Sequence, residues 1–122
     1  MKTFLLIGSV NAFLAVALGA FGAHGLKARV AAEMLEVWRT GVQYHMAHAL
    51  GLILVGILIH LLSQAPVLRA AGWAMLAGIV LFSGSLYLLT LTGIRPLGMI
   101  TPFGGIAFLA GWVLLIVAAL RA

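Results

Sequence analysis

The chain has no cysteine and no aspartate. Its only carboxylate side chains are Glu33 and Glu36, and it has three prolines in 122 residues. Each scarcity excludes something. Without thiols there is no disulfide frame, no thiolate metal site and no cysteine nucleophile. Charged side chains make up 7% of the chain, against roughly 25% in an average soluble domain, so a folded unit of this size could not cover a water-exposed surface with them. Hydrophobic residues make up 65% of the chain and mean hydropathy is +1.25. The bilayer is the natural solvent for such a sequence.

The formal net charge is +5. The cations Lys2, Lys27, Arg29, Arg39, Arg69, Arg95 and Arg121 punctuate apolar runs instead of clustering. That pattern suits contact with anionic membrane lipids. It contains no basic run or aromatic-basic platform, so nucleic acid is not an expected partner.

A spanning helix needs about 20 apolar residues. Four runs qualify: Thr3 to Ala23, Gly41 to Ser63, Ala70 to Thr92 and Thr101 to Leu120. The expected fold is an all-α integral membrane protein with one membrane domain over residues 1–122. The first run also resembles a signal peptide, with Lys2 as its basic start, but "GAFGAHG" is a mediocre cleavage site and an uncleaved helix is favoured. Thr101 is placed to cap the fourth span, and Pro102 at its first helical position. "GIRPLGMITPFGG" (Gly93 to Gly105) reads as the preceding turn.

Between the first two spans, Leu26 to Thr40 has the pattern of an amphipathic helix lying in the membrane interface. Leu26, Val30, Met34, Val37 and Trp38 share one arc, and Arg29, Glu33, Glu36 and Arg39 the opposite one. Arg29–Glu33 and Glu36–Arg39 have ion-pair spacing. Four spans place both termini on one side. Lys2, Arg69 and Arg121 lie there and Lys27, Arg29, Arg39 and Arg95 lie opposite, too even a division to orient the protein by positive charge.

In hydrocarbon a polar side chain must bond another helix or water, so polar positions report where helices meet. On the second span Tyr44, His45 and His48 fall on one stripe while Gln43 points elsewhere. On the third, Ser83, Tyr87 and Thr90 share a stripe, with Ser85 and Thr92 opposite. The first span carries Ser9, Asn11 and several small-xxx-small pairs, including Gly8/Ala12 and Ala15/Gly19. His24 ends that span, so His24, Tyr44, His45 and His48 are expected to gather near one membrane face, with Glu33 and Glu36 beside them and His60 apart.

Several chemistries could use such a cluster. "HMAH" offers two imidazoles to a metal ion, with His24 and either Glu33 or Glu36 as further ligands. The paired Glu-x-x-His motifs of di-metal bundles and HExxH are both absent, so no metal or other cofactor is expected. A proton or ion path could use the histidines, although no charge sits deep in any run. Nucleophilic catalysis lacks GxSxG and an acid to orient a base, and the protein is not expected to be an enzyme. The plain alternative is hydrogen-bonded packing of helices by these same residues.

Four stretches carry a resemblance: "GAFGAHGL" (Gly19 to Leu26), "YHMAHALGLI" (Tyr44 to Ile53), "FSGSLYLL" (Phe82 to Leu89) and "ITPFGGIAFLAGW" (Ile100 to Trp112). In order and spacing they resemble the signature blocks of domain of unknown function 423, a family of small bacterial inner-membrane proteins similar to vertebrate transmembrane protein 256. The resemblance implies a multi-spanning protein of the bacterial plasma membrane, and no reaction, substrate or cofactor. It marks His24 and His48, within the blocks, above His60.

Two functional readings follow. One is a non-enzymatic oligomeric module or scaffold, with membrane lipids and further copies of the chain as partners. The other is an ion, proton or small-ligand site lined by His24, His45 and His48. The many small residues of the first span suggest the homo-oligomer.

Overall fold

The structure is a computed structural model and describes residues 2–122. Its helices are α1 (Thr3–Phe21), α2 (Ala32–Leu61), α3 (Ala65–Gly78), α4 (Gly84–Thr92) and α5 (Thr101–Arg121). A π-helical turn, Gly22–Leu26, prolongs α1, and another, Ile79–Ser83, joins α3 to α4 in one rod. A 3-10 turn, Arg95–Met99, leads into α5. Four stretches are long and apolar enough to cross a membrane: Thr3–Leu26, Ala32–Leu61, Ala65–Thr92 and Arg95–Arg121. No strand occurs among the described residues.

Helix ends follow local chemistry. Gly93 closes α4 in the left-handed region at φ 71°, with its N–H on the Leu89 carbonyl at 2.8 Å. Pro66 and Pro102 sit in the first turns of α3 and α5, where a missing N–H costs nothing. Thr101 is not a cap. It is the first helical residue, and its hydroxyl instead meets Ser85 Oγ at 2.6 Å.

The interfacial helix expected over residues 26–40 does not form a separate element. Lys27–Arg29 is a turn, Val30 a bend and Ala31 is extended at ψ 154°, and α2 then runs unbroken from Ala32. No proline interrupts residues 32–61, and the lone Gly41 is too weak a breaker to end the helix there. The break at residues 27–31 also shifts the helical phase. Leu35, outside the expected apolar arc, is buried with Trp38. Arg29 precedes the helix and forms no ion pair with Glu33, whereas Glu36 and Arg39 pair at 2.6 Å on the exposed surface. Trp38 does not face the interface. It is 1% exposed, and its indole donates to the Leu18 carbonyl at 2.9 Å.

Another boundary moves. The third rod starts at Ala65, five residues before Ala70, so Arg69 lies inside its first turns, exposed at the surface. The fourth rod's α5 begins at Thr101.

Successive rods run antiparallel. Gly8 faces Ile53 while Gly22 faces Trp38; Gly51 faces Met75 while Gly41 faces Tyr87; Gly78 faces Phe108 while Gly111 faces Met75. The α1–α2 seam is close, as is the seam where a Cβ on Gly104 would meet the Phe82 backbone amide. A Cβ on Gly8 would lie 2.7 Å from Ile53 Cγ1 and 2.9 Å from the Ala49 carbonyl, and one on Gly56 would lie 2.9 Å from the Leu5 amide. The small residues of α1 are thus used within the chain: Gly8, Ala15 and Gly22 are buried and Gly19 faces Val42. Phe4, Leu52, Val55, Leu68, Met75 and Phe108 fill the space where the rods meet.

Gly8→Val is expected to lower stability by about 2 kcal/mol, because backbone atoms of α2 cannot move aside as a side-chain tip can. Gly84→Ala, whose Cβ would meet nothing nearer than 3.9 Å, is expected to be neutral or stabilising. Thermal unfolding in mild detergent separates the two, and equal midpoints would contradict the packing described.

Candidate functional site

The polar residues of α2 form two centres with different partner helices, not one cluster. Because α2 begins at Ala32, His45 and His48 lie about 20 and 24 Å from its start, at a rise of roughly 1.5 Å per residue. They sit at mid-height in the bundle and not near its end. His48 stacks on Phe108, which packs on Gly78 in the middle of the third rod.

The first centre joins α1, α2 and α4. His45 Nδ1 is 2.9 Å from the Tyr87 hydroxyl and Nε2 is 2.9 Å from Asn11 Oδ1. Asn11 Nδ2 donates to the Ile7 carbonyl at 2.8 Å, which leaves Oδ1 as the atom facing the imidazole. An amide oxygen only accepts, so His45 carries its proton on Nε2. Nδ1 then accepts from the Tyr87 hydroxyl.

The second centre joins α2 and α5. The Trp112 indole donates to His48 Nε2 at 2.9 Å, and His48 Nδ1 bonds the Tyr44 carbonyl at 2.8 Å. Indole N–H only donates and a carbonyl only accepts, so His48 carries its proton on Nδ1. The Phe108 ring stacks on it with centroids 3.5 Å apart and planes 10° apart. The two histidines, three residues apart, are therefore held as opposite neutral tautomers. All four ring nitrogens are engaged, and a metal ion could bind either ring only by displacing one of these bonds.

The third rod is pinned to α2 around these centres. Ser83 Oγ donates to the Gly41 carbonyl at 2.8 Å, and Thr90 Oγ1 to the Leu86 and Met34 carbonyls at 2.9 and 3.3 Å. Ser85, on the other side of the rod, reaches Thr101. Among the described residues no buried side-chain nitrogen or oxygen lacks a partner.

The structure does not bring His24 to the other histidines. It is exposed on the π-helical turn, 13 residues beyond Asn11, or about 20 Å along the helix. Glu33 is exposed, Glu36 is turned to Arg39, and His60 is exposed near the far end of α2. Among the described residues no three His, Cys, Asp or Glu side chains lie close enough together to hold a metal ion. The expected gathering of His24, Tyr44, His45 and His48 at one face is corrected on both counts, depth and membership. Its error came from starting the second helix at Gly41.

The sequence reading missed Trp112 and Phe108 as partners of His48, and the link between Asn11 and His45. The signal for Asn11 was its amide inside an apolar helix. For Trp112 the only signal was its place at the end of the block "ITPFGGIAFLAGW", because an indole in a membrane span is ordinary.

Two cavities flank the centres. One, of about 550 Å³, lies between α1 and the third rod, with His45 and Tyr87 at its wall and Leu14, Leu18, Val80 and Leu88 lining it. The other, of about 440 Å³, lies between Tyr44, His48 and Phe82 on one side and Gly105, Phe108 and Trp112 on the other.

Comparison with known proteins places the chain among membrane proteins. Residues 18–105 match the model of a family described as "Protein of unknown function (DUF423)". The chain is 56% identical over 121 residues to "UPF0382 membrane protein YwdK" of Bacillus subtilis (strain 168), covering 99% of this chain and 98% of that protein. It is 46% identical over 121 residues to "UPF0382 membrane protein SAB0533" of Staphylococcus aureus (strain bovine RF122 / ET3-1), with the same coverage. No solved structure matches it.

Nitrogen-15 NMR of the imidazoles should show opposite tautomers, His48 protonated on Nδ1 and His45 on Nε2; the same tautomer at both would contradict the geometry. Trp112→Phe and Tyr87→Phe should each lower stability by about 1 kcal/mol, since each leaves a ring nitrogen unbonded in an apolar setting. Thermal unfolding in detergent measures this, and unchanged midpoints would show that the bonds contribute nothing.

Proposed function

The chain belongs to the DUF423 family, whose members have no assigned activity, and on that premise we propose that it is a non-enzymatic plasma-membrane module, a rigid four-span unit that associates with copies of itself. One observation carries this reading: among the described residues, every buried polar side-chain atom is bonded within the chain. Polar groups kept for catalysis or ion passage must be free to meet a substrate or ion. Here His45 and His48 are spent on joining α2 to α1, α4 and α5.

The outer faces supply the surface for association. On α1, Leu6, Phe13 and Val16 are at least 62% exposed, and on α5, Phe103, Ile106 and Leu109 are at least 63% exposed. Self-association rests on these outer faces, since the small-residue face of α1 is occupied by α2. In this reading both termini share one side of the plasma membrane, and lipids surround the faces that copies leave free.

A permeation path lined by His24, His45 and His48 has less support. The three do not share a cavity, and the walls of the larger cavity are almost wholly apolar. Native mass spectrometry of the full chain in mild detergent tests the oligomer. A mass of two or more chains is expected, and a monodisperse monomer would remove the oligomeric part of the proposal.

A further inference from the structure

The cavity beside His48 differs from an ordinary lipid-facing furrow in two respects. Its walls are rings. Tyr44 and Phe82 have centroids 4.5 Å apart, Tyr44 and Phe108 lie 6.2 Å apart at 17°, and Trp112 closes the far edge against His48 at 5.7 Å. It also holds a polar group with nothing to bond. Tyr44 is 44% exposed, and its hydroxyl has no hydrogen-bond partner among the described residues, while the indole, the imidazole and the Tyr44 carbonyl beside it are all committed to one another.

Depth makes that hydroxyl informative. Tyr44 is four residues from His48, about 6 Å along α2 from the middle of the bundle. In a bundle centred in a hydrocarbon layer about 30 Å thick, that depth is covered by lipid chains. A phenol without a partner in hydrocarbon is costly. An acyl chain would fill the space without bonding the hydroxyl, and would make no particular use of the aromatic walls.

We propose that this groove binds the head of a lipid-soluble quinone: a flat ring against Tyr44, Phe82 and Phe108, with one carbonyl oxygen accepting the Tyr44 hydroxyl proton. Planar rings pair favourably with aromatic walls, and a carbonyl supplies the acceptor that Tyr44 lacks. The volume of about 440 Å³ accommodates a one- or two-ring head and the start of its tail. Gly105 keeps the groove open. A Cβ there would meet only Phe82 Cδ2, at 4.0 Å, so a larger side chain would project into free space and not into the protein. Ile106 and Leu109, 63% and 67% exposed, border the entrance from the bilayer.

The test uses the full chain in phosphatidylglycerol nanodiscs, with 2-methyl-1,4-naphthoquinone as the probe and quenching of tryptophan fluorescence as the readout. Trp112 at the groove edge should give a saturable component above the linear quenching due to partitioning. Tyr44→Phe should weaken that component about fivefold, the worth of one hydrogen bond. A methylnaphthalene competitor, which lacks the carbonyls, should bind the wild type and Tyr44→Phe equally. Gly105→Leu, with an unchanged melting temperature, should abolish saturation. Should that variant not fold, Tyr44→Phe still decides, because it removes only one exposed oxygen. No saturable quenching in the wild type overturns the proposal, as does unchanged affinity in Tyr44→Phe. Gly105→Leu dissociating an oligomer that does not bind the quinone also overturns it, since the groove would then be filled by a second copy.

Discussion

Inside a bilayer a polar side chain has no water to return to, so it bonds another helix or it destabilises the fold. This one constraint organises the bundle around α2. Its histidines, its tryptophan and its backbone carbonyls receive or send a bond to each neighbouring rod: Asn11 and Leu18 on α1, Ser83, Tyr87 and Thr90 on the third rod, and Trp112 on α5. Association of helices in lipid gains nothing from hiding apolar surface, because the lipid is as apolar as leucine. Close backbone approach at Gly8 and Gly56 and these few directional bonds have to hold the rods instead.

The same constraint defines what the histidines do. A solvated imidazole is free to change its proton. Here each ring sits between partners of fixed character, and those partners select its tautomer. Trp112 can only donate and a backbone carbonyl can only accept, so the His48 ring is oriented as well as neutralised. His45 meets an amide that Ile7 holds in one orientation. Both histidines act as two-ended linkers between helices. The third rod presents Ser83 and Tyr87 to α2 while Phe82 faces the aromatic groove.

Tyr44 stands outside that network. It belongs to the helix that carries it, yet its hydroxyl, like the exposed side chains of Gln43 and Ser9, has no partner among the described residues. Tyr44 differs in lying among rings, on a face open to lipid, so it offers a place where something from outside the chain can attach.

Much of the fold was legible in the sequence. The scarcity of charge and the four apolar runs specify an all-α membrane protein with four rods, because length and hydropathy alone decide whether a helix can span. The stripe Ser83, Tyr87, Thr90 was legible as a shared face for the same reason, a fixed helical period. The start of α2 was not legible. An amphipathic segment that packs on protein has the same pattern as one that lies on lipid, and only the extended backbone at Ala31 decided that residues 32–40 belong to the second helix. From that followed the depth of His45 and His48, the separation from His24 and the burial of Trp38. Composition and helical period are enough to say which side chains need partners; which partners they have depends on the register and rotation of whole rods, and those are set by the summed packing of residues far apart in the chain.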